Sequence, residues 1–216
     1  MLITMKYNLP RPYLSYSQFD LWTKNKEGYR RRYYYNEEGF MTPEIVFGKK
    51  IAKHMEDGGH IEGLVPADNV EYRIEIEIDK GLKLLGCLDR FDSKLNKVIE
   101  IKTGHKNKEG KEPWDTLKVR RHKQLTFYTL LVKAKHKEVC PNVVLQWFET
   151  RFKAQEFSFD GHTLTTQSRE LELTGYQKKF RRRIYNWERD RLQLEIIRAA
   201  EEITKDYTEW QKENQK

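Results

Sequence analysis

Apolar positions recur along this chain in two rhythms. From Val70 to Asp79, Val70, Tyr72, Ile74, Ile76 and Ile78 alternate with Glu71, Arg73, Glu75 and Glu77, the period of a strand with one solvated face. Leu82 to Phe91 and Lys97 to Thr103 read as two further strands, and Ser93 to Asn96 between them supplies turn chemistry, so an antiparallel hairpin follows. Asn142 to Phe152 reads as a fourth strand with Val143, Leu145 and Trp147 on one face, and Glu170 to Leu173 adds a short fifth.

The other rhythm is helical. Ser15 and Gln18 have capping-box spacing ahead of Phe19, Leu21 and Trp22, which starts a helix in the stretch Leu14 to Trp22. Thr42 and Pro43 start a second, in which Phe47, Ile51, His54 and Met55 form an apolar stripe up to the stop at Gly58 and Gly59. His54 is thereby expected to face inward. One long helix is expected from about Asp115 to His136. Another is expected from about 175 to 210, with Tyr176, Phe180, Ile184, Trp187, Leu194 and Ile197 as its stripe. The order helix, helix, three strands, helix, strand, helix describes an α/β (α+β) domain with a mixed central sheet flanked by helices. It reads as one unit over residues 1–216, with an N-terminal helical part over about 1–60.

Composition narrows the function classes. The chain has 216 residues, 34% of them charged, and no apolar run of membrane-spanning length. Its start lacks the basic, apolar, small-residue order of a secretory signal, so the cytoplasm is the expected compartment. Cys87 and Cys140 are the whole cysteine complement, too few for a disulfide scaffold or a zinc site, and buried free thiols are expected. A formal charge of +8 favours polyanions. The cations are clustered: Arg30 to Arg32 beside Tyr33 to Tyr35, four in Lys118 to Lys123, five in Lys178 to Arg183. Aromatic rings beside cations suit single-stranded or frayed nucleic acid, whereas a solvated helix face is the plain alternative for each cluster.

The densest chemistry lies in Gly86 to Gly104, where Asp89 precedes Glu100 by eleven residues and Lys102 follows two later. On a strand Glu100 and Lys102 point one way while Ile99, Ile101 and Thr103 point the other. If the hairpin register sets Asp89 beside Glu100, two carboxylates converge where Mg²⁺ or Mn²⁺ prefer to bind. A Glu-x-Lys arises by chance in so charged a chain. Here, however, the charges interrupt strands that otherwise read as buried, where they need partners or a metal.

Three more signals surround the hairpin: Gly48 to His54 upstream, Gly86 three before Asp89, and Gln124 to Tyr128 downstream. In that order they resemble the G-x5-H, G-x-x-D, (D/E)-x-K and Q-x-x-x-Y motifs of the RecB-like branch of the PD-(D/E)XK nuclease superfamily, over about Ser15 to Leu131. The proline of the superfamily name is missing before Asp89. The resemblance implies a restriction-endonuclease-like core and a divalent-metal-dependent DNA nuclease, an exonuclease more readily than an endonuclease, in recombination, repair, or phage or CRISPR DNA processing. It implies His54, Asp89, Glu100 and the backbone carbonyl of Ile101 as ligands of Mg²⁺ or Mn²⁺, with Asp89, Glu100, Lys102, Gln124 and Tyr128 as the catalytic set. With two cysteines the iron-sulfur cluster of some members is expected to be absent. There is no phosphate-binding G-x-x-x-x-G-K-[ST] loop, so any motor would come from a helicase or recombinase partner. No membrane partner is expected. Two alternatives stay open: a nuclease-fold module that binds nucleic acid or a partner without cutting, and an RNA-directed endonuclease using the same residues.

Overall fold

In the computed structural model, which describes residues 7–138, 142–159 and 162–214, a six-stranded sheet carries helices on both faces. The elements in chain order are β1 (Leu14–Ser15), α1 (Tyr16–Lys24), α2 (Lys26–Tyr33), α3 (Pro43–Glu56), β2 (Asn69–Asp79), β3 (Leu82–Asp92) and β4 (Lys97–Gly104). There follow α4 (Thr116–Arg121), α5 (Lys123–His136), β5 (Asn142–Phe159), β6 (His162–Arg183) and α6 (Asn186–Asn214). The expected mixed sheet is present: β4 and β5 run parallel, and β2 with β3, β3 with β4, and β5 with β6 are antiparallel.

The local start signals act as read. Ser15 caps α1 in a full capping box with Gln18, and Thr42 accepts from the Ile45 N–H ahead of Pro43 at the start of α3. Two helices differ from expectation. The stretch from Asp115 to His136 is two helices, because His122 takes an extended ψ of 98° between α4 and α5. Residues 175–183 are not the start of the last helix. They belong to β6, where Phe180 pairs with Leu145, and the short strand expected at Glu170 to Leu173 is part of the same long strand. A helix there would satisfy its own backbone, but β5 offers a partner along its whole length, and long-range pairing overrides a helical spacing of apolar residues. The stripe of α6 shifts accordingly. Leu192, Ile196, Ala199, Ala200 and Ile203 are buried, while Trp187 and Leu194 face solvent.

The main core lies between one sheet face and helices α1, α5 and α6. Residues Leu125 to Val132 of α5 are all buried, as a helix must be when the sheet covers one side and α6 another. Near the N-terminal helices the core is built from large rings, where Trp22, Tyr29 and Tyr34 pack with Tyr207 and Trp210. Arg30 pairs with Asp206, so part of the first basic cluster serves to dock α2 on α6. A smaller cluster of Met55, Ile61, Ile101 and Phe148 covers the sheet's other face under α3.

The position of β3 makes a gap. On one edge its rungs to β1 end at Leu85 and its rungs to β4 begin at Arg90, so Gly86 to Asp89 stand between two neighbours. Helix α5 passes close over this gap. A Cβ on Gly86 would lie 2.3 Å from Leu131 Cδ1 and 3.3 Å from the Tyr128 ring, closer than packed atoms approach, which is why the position holds glycine.

Candidate active site

Asp89 and Glu100 meet at the place where the hairpin opens. The register Arg90 to Ile99 would set Asp89 opposite Glu100 on the next rung, but the ladder stops there. Instead the Asp89 carboxylate accepts the N–H of Ile101 at 2.6 Å. Burial, and after it the neighbouring Glu100, push the Asp89 pKa well above the carboxylate range; Lys102 and the Ile101 N–H oppose this without overcoming it.

Glu100 is 1% exposed, deep for a charged side chain. One carboxylate oxygen is paired with Lys102; the other, Oε2, is buried with no hydrogen-bond partner. Burial alone would lower the Lys102 pKa, yet Glu100 and then Asp89 outweigh it and hold the ammonium charged. Lys102 also donates to Gln124 Oε1 at 3.1 Å, and Gln124 Nε2 donates to the Tyr128 hydroxyl at 2.8 Å. The two α5 side chains, four apart on one helix face, thus form a relay that fixes where the ammonium stands. Burial first, then Glu100 and Asp89, push the Tyr128 pKa up, so its hydroxyl stays protonated.

The structure therefore brings together Asp89, Glu100, Lys102, Gln124 and Tyr128. It does not bring His54 to them, and the expectation that His54 faces inward is corrected. Helix α3 crosses β4 on the face of Ile101 and Thr103, with Gly48 over Thr103 and Met55 in the cluster with Ile101. Lys102 reaches Gln124 on the opposite side. His54 itself is exposed, its Nε2 3.3 Å from the His60 carbonyl. Met55 takes the buried end of the stripe, and its neighbour is turned outward.

Two residues near the site were not placed there from the chain, which left open only that one of Glu71, Glu75 and Glu77 approaches a metal. Glu71, read as part of a solvated strand face, lies opposite Asp89 in the register set by Val70 with Arg90 and Tyr72 with Leu88. Its φ of 47° distorts β2 locally, its Oε2 accepts from the Cys87 thiol, and its Oε1 is buried without a partner. Register arithmetic would have found its place, but not the backbone turn that brings it under the surface. Cys87 is exposed, not buried as expected, and Cys140 lies outside the described residues. The second residue is His122, at the break between α4 and α5. Its ring stacks on Trp114 at 5.0 Å, its Nε2 is buried without a partner, and burial followed by nearby Lys102 pulls its pKa down to about 4.

A cleft of about 670 Å³ opens beside these residues, between α1 and the Leu85 to Cys87 segment, with Gln124 and Tyr128 in its wall and Arg32 and Arg73 at its rim. Among the described residues no three His, Cys, Asp or Glu side chains are already gathered as a metal cage. The donors nevertheless fit a hard cation: two carboxylates and a strand carbonyl are all oxygen, and Glu100 Oε2 is a buried acceptor with nothing to accept from. Mg²⁺ commonly binds through one or two carboxylates and keeps several waters, so a full protein cage is not required.

The family model described as the PD-(D/E)XK nuclease superfamily matches residues 17–213. No curated protein matches the chain in sequence. Among solved structures, the chain is similar to one from Eubacterium rectale named as a candidate exonuclease, with 10% identity and a TM-score of 0.54, covering 89% of this chain and 82% of that one. At that identity the likeness shows the fold. A phage-related exonuclease from Haemophilus somnus 129PT matches with 13% identity over 83% of this chain and 78% of its own, at a TM-score of 0.49.

Proposed function

The chain belongs to the PD-(D/E)XK nuclease superfamily, and from that premise we propose that it is a divalent-metal-dependent deoxyribonuclease of the RecB-like branch, working from DNA ends. The observation that carries this reading is the buried, unpartnered Oε2 of Glu100, whose other oxygen pairs with the Lys102 ammonium and whose charge acts on the neighbouring Asp89. A carboxylate so placed is costly unless a cation completes it.

In this reading Asp89, Glu100 and the Ile101 carbonyl hold the ion, and His54 is left out because its ring is turned to solvent. Bound Mg²⁺ or Mn²⁺ would lower the pKa of a water and offset charge on the scissile phosphate. Lys102, held by Gln124 and Tyr128, is charged and so serves to orient the attacking water and to stabilise the developing negative charge rather than to accept a proton at the outset. The Asp89 to Ile101 hydrogen bond keeps the two strand ends at a fixed spacing. The exonuclease name of the Eubacterium rectale neighbour supports action from ends. Recombination, repair, or phage or CRISPR DNA processing is the setting we assign, with unwinding left to a helicase or recombinase partner.

The test is a time course on 5′- and 3′-labelled linear duplex, single-stranded and circular DNA, with an RNA control, in Mg²⁺, Mn²⁺ or EDTA. Metal-dependent shortening of linear DNA with intact circles is the expected result. Cutting of circles would make it an endonuclease, and preferential loss of the RNA control would move the substrate to RNA. No cleavage of any substrate would leave the non-cutting binding module as the correct reading.

A further inference from the structure

Two basic clusters far apart in the chain, at 118–123 and 178–183, converge on one groove. It measures about 1010 Å³ and runs between α4, the end of edge strand β6 and the start of α6. Four of its cations are ion-paired: Lys123 and Arg191 with Glu195, Lys178 with Glu112, and Arg182 with Glu188. Arg120, Arg121, Lys179, Arg181 and Arg183 are exposed with no acidic partner among the described residues. Cations gathered without counter-ions make a local positive potential that concentrates anions.

The rim carries the second observation. Trp187 is 62% exposed and Tyr185 54% exposed, and Arg183 lies over the Tyr185 ring at 5.9 Å. Cations on an edge strand also discourage strand addition, but that role has no use for large rings held in water. Rings beside unpaired cations suit bases that are themselves unpaired.

The groove also adjoins the site. Lys123 in its wall precedes Gln124, which holds Lys102, and the cations Lys102 and Arg182 both act on the His122 ring. We propose that this groove is the track for a single-stranded DNA segment leading to the active site, with phosphates on Arg120 and Arg121 of α4 and bases stacked on Trp187 and Tyr185. The inference deepens the nuclease reading by naming the strand form of the substrate, and it rests on that reading only for what happens at the track's end.

Fluorescence anisotropy with a labelled 20-nucleotide oligothymidylate and a blunt duplex of equal length, both in EDTA, tests it without catalysis. Arg120→Glu with Arg121→Glu should weaken single-strand binding at least tenfold and flatten the slope of log K against log salt by about 1.4, roughly 0.7 for each phosphate no longer neutralised. Trp187→Ala should weaken single-strand binding about 5- to 100-fold while moving duplex binding less than twofold. Both variants replace exposed residues and should keep the parent melting temperature. Hydrolysis of bis(p-nitrophenyl) phosphate in Mn²⁺, a diester too small to use the groove, should equal the parent's. Unchanged oligothymidylate affinity in the double variant, or equal weakening on single strand and duplex for Trp187→Ala, would overturn the track. Groove-dependent binding together with no diester hydrolysis in the parent would support the track and defeat the nuclease reading.

Discussion

The carboxylate of Asp89 accepts the backbone N–H of Ile101 at 2.6 Å, at the point where the β3–β4 ladder ought to have continued. This hydrogen bond replaces a rung with a fork. It lets two strands part without leaving a donor unsatisfied, and it ties the Asp89 carboxylate to the strand that carries Glu100 and Lys102. Asp89 thus has a structural duty beside the chemical one we propose for it.

Glu100→Gln and Lys102→Ala are expected to abolish DNA degradation, each by about 10³-fold or more, the scale of lost metal or electrostatic stabilisation of a transition state. Circular dichroism should show both folded. Substantial cleavage by either purified variant would remove these residues from the catalytic set.

Tyr128→Phe leaves Gln124 Nε2 without its acceptor, and through Gln124 loosens Lys102. The expected cost is about 1 kcal/mol of stability, together with a several-fold fall in kcat at little change in KM. A variant altered only in melting temperature would confine Tyr128 to packing.

His54→Ala should change stability by less than ~0.5 kcal/mol, as befits an exposed side chain, and Mn²⁺ affinity measured by calorimetry should stay within threefold of the parent. A tenfold loss of metal affinity would return His54 to the ligand set that its motif implies.

Gly86→Ala places a methyl against Leu131 and Tyr128 under α5. Overpacking at such a close approach costs about 1–3 kcal/mol, readable as a lower urea midpoint with an unchanged slope. An unperturbed midpoint would mean that α5 gives way freely.

The His122 ring, with its pKa near 4 in the fold against about 6.5 free, is flanked by Asp20, Lys24, Lys102 and Arg182. Its folded pKa is depressed, so the unfolded chain binds the proton first as pH falls. This contribution to stability is intact above pH 6.5 and is lost progressively down to pH 4, by at most ~3 kcal/mol. His122→Asn should therefore flatten the stability profile over that window relative to the parent. Parallel profiles for the two proteins would show that His122 is protonated at no cost to the fold.

Much was legible in the chain because it is encoded at short range. Capping at Ser15 and Thr42, the alternation in β2, the turn at Ser93 to Asn96 and the spacing of Asp89, Glu100, Lys102, Gln124 and Tyr128 all depend on neighbours within a few residues or on motif order. These were enough for the mixed sheet flanked by helices and for the family. The stretch 175–183 was not legible, since its apolar spacing suits a helix and only the presence of β5 alongside makes it a strand.

The same division runs through the site. Residue types and their order name the carboxylates, the lysine and the α5 pair. Burial and long-range packing settle how each is placed: that Glu100 keeps one oxygen unpartnered, that Glu71 turns under the surface opposite Asp89, that His54 yields the inner position to Met55, and that two basic clusters share one groove. Periodicity tells which residues share a face of one element. Which face meets another element, and which charge is left there without a partner, depends on packing between residues far apart in the chain.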